Sequence, residues 1–407
     1  MGLFDFAATA QKDANTRATH EQRSKDWVKW EEFCNRFGIK SDRYLETFSP
    51  LGKQAILGAF ASFIRQALYQ GSRSKRVATG TVRRALDNVS QGFRSAGHSD
   101  PRLDVDCKIC FRLTQICQGF ERNDPKKKHQ KAIPIKVLKE LLRLAHKAND
   151  EFNMAIAQLA IGAYSFAMRS CEYSKTCFDE ESKLTKILRV RNVRFFLGKQ
   201  LLRHDDKRIF IATYVNITFE WQKNADRDNS VSMHGCRKYK TREFCPVFIW
   251  ATIISRVRAY PGKDDINERK VNSVWINKKT KEISSFHLRT KLRAAVVSVG
   301  EDSLGFKAAD IECHSLRSGA AMAMKLAGIS EFTIMIIGRW QSMAFLDYIR
   351  KQVAQFSNNI TDQMLLHADF YTTPDFKQAS NSPRTVHENF DGGANDWGVF
   401  KPILQEC

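Results

Sequence analysis

The sequence predicts an α+β fold that is mainly α-helical: an N-terminal helical bundle, then a larger domain with a small antiparallel sheet. Three observations lead to this prediction. Apolar side chains recur every three or four residues through most of the chain, which is typical of amphipathic helices. One region instead alternates apolar and polar residues, as half-buried strands do. A lysine-rich segment without apolar periodicity separates the two parts, as linkers do.

The first part of the chain predicts a bundle of four helices, over residues 15–37, 51–69, 79–96 and 105–120. In the first of them Trp27, Trp30 and Phe33 lie on one side at spacings of three. Tryptophans at helical spacing favour a core position over base stacking. Short polar connections between such helices indicate a compact bundle.

The linker is predicted at residues 123–135, which contain Lys126, Lys127 and Lys128. Three interpretations remain open for these charges: a nuclear import signal, contacts across a DNA backbone, or a merely solvated linker. The predicted organisation is therefore a helical domain over 1–122, the linker over 123–135, a second domain over 136–370 and an irregular tail over 371–407.

The second domain begins with predicted helices over residues 134–146 and 152–166. Strands are then expected over 188–197, 215–221 and 230–234. Because residues 224–228 are typical turn material, the last two strands should form a hairpin. Helices are expected to return from Pro246 onward.

The charge of the chain points to a polyanionic partner. It has 65 Lys and Arg against 44 Asp and Glu, a net charge of +21 and a pI of about 9.6. Both parts are basic, which suits a protein that encloses nucleic acid from two sides. One basic cluster leaves backbone contact and a solvated face equally open. Its residues are Arg73, Lys75, Arg76, Arg83 and Arg84.

The ten cysteines are scattered, and neither a secretory signal nor a long apolar span is recognisable, so we expect an intracellular protein with reduced thiols and no membrane partner. Cys107 and Cys110 have a zinc-like spacing. No second pair completes a tetrahedral set nearby, which favours helix-face thiols over metal. No cofactor is predicted.

The most informative segment is His314-Ser315-Leu316-Arg317, at the start of an apolar helix. His314 and Arg317 share a face of the first turn, where backbone N–H groups and the helix dipole favour an anion. A phosphate group would fit there. Further on, Tyr348 lies in another predicted helix, over residues 342–356.

Together these segments resemble the tyrosine recombinase family, known from phage integrases, bacterial dimer resolvases and recombinases of eukaryotic mobile elements. The resemblance covers about residues 130–365, while the N-terminal bundle matches only in size, helicity and charge. It implies a core-binding, SAM-like first domain and a tyrosine-recombinase catalytic domain. The segment Gly338-Arg339-Trp340 is most similar to the corresponding segment of crypton and DIRS-type enzymes. Four pieces carry the resemblance: Arg169 with Glu172, the hairpin end Trp221-Gln222-Lys223-Asn224, the His314 to Arg317 box, and Phe345-Leu346-Asp347-Tyr348-Ile349-Arg350.

The resemblance implies a role for each residue. Tyr348 would attack the phosphodiester as nucleophile, with Tyr371 as a weaker competitor, while Lys223 would protonate the departing 5′ oxygen. Arg169 and Arg317 would stabilise the charge on the phosphate. His314 would help to remove the tyrosine proton, and Glu172 would orient Arg169. Because the 3′-phosphotyrosine link conserves the energy of the broken bond, neither metal nor ATP is required.

One position departs from the family pattern. Nine residues before the tyrosine, where most relatives have His or Trp, ungapped counting finds Arg339, with Trp340 one step later. Either side chain can donate a hydrogen bond to a phosphate oxygen, so the sequence leaves the choice open.

The predicted function is site-specific recombination or integration of a mobile element. The expected partner is double-stranded DNA, held at two sites by a homotetramer, with no small-molecule substrate and a nuclear location if the host is eukaryotic. Two alternatives remain. A type IB topoisomerase would use similar chemistry on one duplex, and a domesticated DNA-binding protein would keep the fold without cleaving.

Overall fold

A computed structural model of the chain describes residues 2–349 except 4, 7–8, 11–13, 16, 73–75, 105, 126–129, 175–186, 221–227, 237–241, 344–345 and 347–348. The predicted fold class is confirmed: the described residues are mainly helical, with a small antiparallel sheet in the second half of the chain. Among the described residues, no helix is long and apolar enough to cross a bilayer.

The four helices of the N-terminal bundle share one aromatic core. Trp30 is fully buried, as the sequence predicts, and meets Phe60 edge to face at a centroid distance of 5.0 Å. Phe33 and Phe93 complete the cluster, while Trp27 is half-buried at its margin. Burying each such ring contributes roughly 1.5–3 kcal/mol. The helices are α1 (Arg17–Arg36), α2 (Pro50–Arg65), α3 (Thr79–Ser95) and α4 (Phe111–Arg122).

Helix α4 begins at Phe111, six residues later than the sequence predicts, because a local turn competes with it. The carboxylate of Asp104 accepts hydrogen bonds from the backbone N–H groups of Asp106 and Lys108, each at 3.0 Å. Such side-chain bonds offer the backbone an alternative to the helix. The N-cap is Cys110, whose Sγ accepts from the backbone of Leu113, so this thiol has a structural role.

A buried arginine joins the ends of three helices where the predicted linker begins. The Arg65 side chain is 4% exposed, pairs with Asp124 and donates to the carbonyls of Val77 and Phe120. Asp124 also accepts from the backbone N–H of Thr79 at 2.8 Å. Neutralising a buried guanidinium in this way is necessary, because an unpaired buried charge is strongly destabilising.

The second part of the chain has its own hydrophobic core, distinct from the aromatic core of the bundle. Gly162 packs against this core, since a Cβ there would come within 3.2 Å of the Trp250 ring. The division into domains at residues 123–135 stays a prediction. The helices are α5 (Ile135–Ala148), α6 (Glu151–Ser165), α7 (Ser170–Tyr173), α8 (Pro246–Arg258), α9 (Ser285–Val299), α10 (Glu301–Leu304), α11 (Ser315–Leu326) and α12 (Glu331–Gly338).

Four antiparallel strands form the main sheet, in the order β2-β1-β3-β4. The predicted hairpin is confirmed as β3–β4, with Ile217 opposite Val231. The alternation seen in the sequence corresponds to burial, since Val215, Ile217 and Phe219 face the core. The strands are β1 (Val193–Leu197), β2 (Gln200–Leu202), β3 (Tyr214–Phe219) and β4 (Asn229–His234).

A second hairpin, β5 (Ser273–Ile276) with β6 (Lys279–Glu282), interrupts the region where only helices were expected. Its strands are four residues each, too short to establish a clear alternation in sequence. Asn277 and Lys278 form the turn with φ of 50° and 60°. Two consecutive left-handed residues are the geometry of a tight hairpin turn, which matches the twist of the strands.

Candidate functional site

Two helix ends with unusual backbone geometry frame the site. Helix α6 is followed by Ala167 with φ of 44°, and helix α12 by Arg339 with φ of 56°. In each case the next residue closes the turn by donating its N–H to a carbonyl five residues earlier, at 3.0 Å. Glycine normally occupies this left-handed position, since other residues are strained there by roughly 1–2 kcal/mol. Arg169 therefore lies two residues after one strained turn, and Arg339 itself occupies the other.

Two arginines bond to the carbonyls of these turns. Nη1 of Arg317 donates to the carbonyl of Ala167, and Nη2 donates to that of Gly338 at 2.6 Å. Nη2 of Arg169 donates to the carbonyl of Arg339 at 3.1 Å. Both arginines therefore bond to carbonyls of the same turn, on successive residues. The structure thus brings together three chain segments that the sequence places far apart.

The carboxylate of Glu172 connects two of the arginines. Its Oε2 accepts from the backbone N–H of Arg169 at 2.8 Å and from Nη2 of Arg339 at 2.7 Å, while Oε1 accepts from Nη1 of Arg169 at 3.3 Å. The side chain of Glu172 is 1% exposed. Since guanidinium groups outnumber carboxylates among the described residues of this site, the local field favours a bound anion.

Replacing Glu172 with Gln is expected to lower the free energy of unfolding by about 3–5 kcal/mol, because Arg339 is left as an uncompensated buried charge. Urea unfolding measures the change. The control is Glu331→Gln, which breaks a half-exposed pair with Lys325 and should change stability much less. Equal stability of Glu172→Gln and the natural protein would contradict the buried bridge.

His314 occupies the N-cap position of helix α11, three residues before Arg317, as the sequence predicts, and its side chain makes no capping hydrogen bond. Burial, followed by the charges of Arg317 and Arg169, lowers the pKa of its imidazole to about 4. At neutral pH the ring is therefore uncharged and keeps a nitrogen that can accept a proton or a hydrogen bond. The ring is therefore in the form that can accept a proton, although a pKa of about 4 makes it a weak base.

The lowered pKa of His314 has a consequence for stability. Between pH 6.5 and 4 the unfolded chain binds a proton at this residue that the folded chain does not, so this contribution destabilises the fold as pH falls. In His314→Gln the contribution is absent. We expect the stability of the natural protein relative to this variant to be lower at pH 5 than at pH 7 in urea unfolding. A pH-independent difference would contradict the assignment.

Trp340 and Arg339, the two candidates for the position about nine residues before the tyrosine, have side chains in different surroundings. The Trp340 ring lies 4.0 Å from the Arg317 guanidinium and covers Gly338, where a Cβ would come within 1.7 Å of it. The Arg339 side chain is turned the other way, towards Glu172 and the ring of Phe219. Sequence reasoning had no signal for this separation, since both side chains can donate to phosphate.

Lys223 and Tyr348 lie outside the described residues, so their predicted roles stay predictions. The base of the Lys223 hairpin is described: Glu220, at the end of β3, accepts from Nε and Nη2 of Arg191 at 2.8 and 3.0 Å and from Asn192 at 2.6 Å. This anchor was not predicted. No sequence motif marks it, because its members are brought together only by the sheet.

Of the predicted DNA contacts, the structure describes three in the first domain. Arg76 is exposed. Arg83 pairs with Glu121 at 2.9 Å and Arg84 lies 3.7 Å from Asp26, so the charge of both is partly neutralised. Lys126, Lys127, Lys128, Arg73 and Lys75 lie outside the described residues.

Comparisons with known proteins return structures of low similarity. The Tn1549 transposon integrase in complex with circular intermediate DNA is 12% identical, with a TM-score of 0.42 over 82% of this chain and 94% of that one. XerH site-specific recombinase bound to its difH substrate is 13% identical, with a TM-score of 0.43 over 82% and 76%. For XerA recombinase the values are 13%, 0.34, 90% and 98%. No protein-family model and no curated protein matches the sequence. At these TM-scores the likeness says nothing about the chemistry of this chain.

Proposed function

We propose that this protein is a tyrosine recombinase, which cleaves and rejoins double-stranded DNA through a 3′-phosphotyrosine intermediate. The observation that carries the proposal is the convergence of Arg169, Arg317 and His314 around the paired turns at Ala167 and Arg339. These are the residue types that in-line attack on a phosphodiester needs: fixed guanidinium groups for the charge and a neutral imidazole for the proton.

In this mechanism Tyr348 attacks the phosphorus, and the bond to the 5′ oxygen breaks as the phosphotyrosine bond forms. Arg169 and Arg317 stabilise the charge on the non-bridging oxygens. His314 accepts the phenol proton, and Lys223 donates a proton to the departing 5′ oxygen. Attack by the 5′ hydroxyl of the exchanged strand reverses each step. The number of phosphoester bonds is conserved, so neither metal nor ATP is needed.

Both basic parts of the chain are proposed to contact the duplex, with the helical domain and the catalytic domain on opposite faces and residues 123–135 between them. The net charge of +21 supports this arrangement, because phosphate contacts dominate DNA affinity. Within the family, the wording Gly338-Arg339-Trp340 supports a crypton or DIRS-type mobile-element enzyme.

The proposal is tested with a suicide duplex, nicked so that the released fragment diffuses away and the covalent complex accumulates. We expect a protein–DNA adduct stable to denaturation, which peptide mass spectrometry maps to Tyr348. An adduct at Tyr371, or none with any duplex, would overturn the assignment of the nucleophile or of the function.

Supercoiled plasmids separate the two catalytic alternatives. A recombinase gives products only from plasmids that carry two copies of its site, whereas a type IB topoisomerase relaxes any plasmid. Stable binding without products from either plasmid would favour a domesticated DNA-binding protein.

Exposed apolar side chains on helix α12 support assembly on two DNA sites. Phe332 and Ile336 lie one turn apart and are 72% and 53% exposed. Strand exchange between two duplexes needs four nucleophiles, so we propose that a second copy of this chain covers this face.

Replacing Ile336 with Glu is therefore expected to abolish two-site products, because a charge would be buried between protomers, while suicide cleavage at one site persists within about threefold. Phe286→Glu provides a matched control, since Phe286 is 64% exposed on helix α9. Recombination by Ile336→Glu at the natural rate would exclude this face from the assembly.

A further inference from the structure

The side chain of Arg339 is buried among the described residues. It is 1% exposed, its guanidinium lies 3.5 Å from the centre of the Phe219 ring, and Nη2 donates to Glu172 at 2.7 Å. Nη1 faces the carbonyls of Phe166 and Ile337 at 3.5 and 3.3 Å. Nε is buried without an acceptor among the described residues. What distinguishes Arg339 is this buried ion pair, which contact with a DNA backbone would break.

The backbone of Arg339 is as unusual as its side chain. Its φ of 56° belongs to a position that favours glycine, yet the glycine of this segment, Gly338, stands one residue earlier. Gly338 is needed for a different reason, because the Trp340 ring lies directly on it. An arginine with a strained backbone and a buried nitrogen that has no acceptor among the described residues raises the free energy of this helix end. Strain of this kind is typical of functional sites.

The contacts of Arg339 connect it to both phosphate-binding arginines. Through Glu172 it reaches Arg169, whose own Nη2 donates to the Arg339 carbonyl at 3.1 Å. Through the turn it directs Trp340 onto the guanidinium of Arg317, at 4.0 Å. The side chain of Arg339 therefore contacts the carboxylate that bonds Arg169, and its backbone precedes the ring that packs on Arg317.

We infer that Arg339 is a positioning residue and that Trp340, not Arg339, is the donor to the scissile phosphate. The guanidinium of Arg339 neutralises Glu172 so that this carboxylate can orient Arg169. Its left-handed backbone holds the Trp340 indole, whose N–H can donate to a phosphate oxygen, beside Arg317. This inference rests on the proposed recombinase function and deepens it, because the sequence alone leaves the two residues interchangeable.

The key variant is Arg339→Gly. Glycine adopts the left-handed conformation without steric strain, so the turn can be retained while the side chain and its guanidinium are removed. Arg339→Lys restores a cation opposite Glu172 without the planar donor set. The matched control is Ala67→Gly, which relieves the same backbone strain, at φ of 54°, where helix α2 of the N-terminal bundle ends, and removes no charged group.

Cleavage of a suicide duplex at saturating DNA is the first measurement. We expect Arg339→Gly to cleave about 100-fold more slowly or worse, as when one charge-stabilising group is misplaced. Arg339→Lys should recover part of the loss, and Ala67→Gly should cleave at the natural rate. Adding Glu172→Gln to Arg339→Gly should slow cleavage little further, since both changes disable the same bridge. Cleavage by Arg339→Gly at the natural rate would overturn the inference. So would a double variant whose loss of rate equals the product of the two single losses.

The salt dependence of DNA binding distinguishes positioning from direct contact. A lost phosphate contact reduces the slope of log Kd against log salt by about 0.9. We expect Arg339→Gly to keep the natural slope and an affinity within about threefold. A slope lowered by about one would mean that Arg339 itself contacts phosphate, and would overturn the inference.

A crystal structure of Arg339→Gly separates this inference from the proposed function. We expect the turn at residue 339 to persist while the Glu172 carboxylate and the Arg169 guanidinium move apart or shift from Arg317. This result does not depend on catalysis. It would support the positioning role even if the natural protein formed no covalent adduct. The absence of an adduct would refute only the proposed function. An unmoved Arg169 would refute the positioning role alone.

Discussion

Arg317→Lys is expected to slow cleavage of a suicide duplex by about 10²–10³-fold, the usual effect of removing one preorganised charge-stabilising donor. Lysine keeps the charge but concentrates its donors at one point. It cannot bond to the carbonyls of Ala167 and Gly338 and also support a phosphate oxygen. The loss should appear in the rate at saturating DNA.

The control for this variant is Arg269→Lys. Arg269 is also buried and donates to backbone carbonyls, those of Val257, Arg258 and Tyr260, but it contacts none of the proposed catalytic residues. It should lose thermal stability and cleave at the natural rate per folded molecule. Equal loss of cleavage in both variants would show that the effect of Arg317→Lys is structural.

Tyr348→Phe is expected to abolish the covalent adduct altogether, since removal of the phenolic oxygen removes the atom that forms the bond to phosphorus. DNA affinity should stay within about threefold, because one hydroxyl contributes little beside many phosphate contacts. Gel-shift titration and denaturing electrophoresis measure the two quantities on the same samples.

Tyr371→Phe is the matched control, as it removes the hydroxyl of the other candidate tyrosine. It should form the adduct at the natural rate. Persistence of the adduct in Tyr348→Phe, together with its loss in Tyr371→Phe, would reassign the nucleophile.

The predicted helices and the β3–β4 hairpin are largely confirmed, because their periodicity reflects burial against one core. Where the predictions were wrong, local geometry prevailed. The carboxylate of Asp104 delays the start of helix α4. The left-handed residues Asn277 and Lys278 form the turn of a hairpin whose strands are too short to be recognised in the sequence. Neither effect has a periodic signature.

The sequence by itself determined that the chain is basic, mainly helical and equipped with an arginine–glutamate pair, a histidine–arginine box and a tyrosine at spacings typical of one chemistry. Only the tertiary structure placed Arg339 against Glu172 and Trp340 against Arg317, the geometry from which we infer different tasks for the two residues. Both are donors of similar reach, so their order along the chain cannot distinguish them. The difference arises because Glu172 is buried and must be neutralised, and because Gly338 leaves room for one ring. Both conditions depend on segments that meet only after folding.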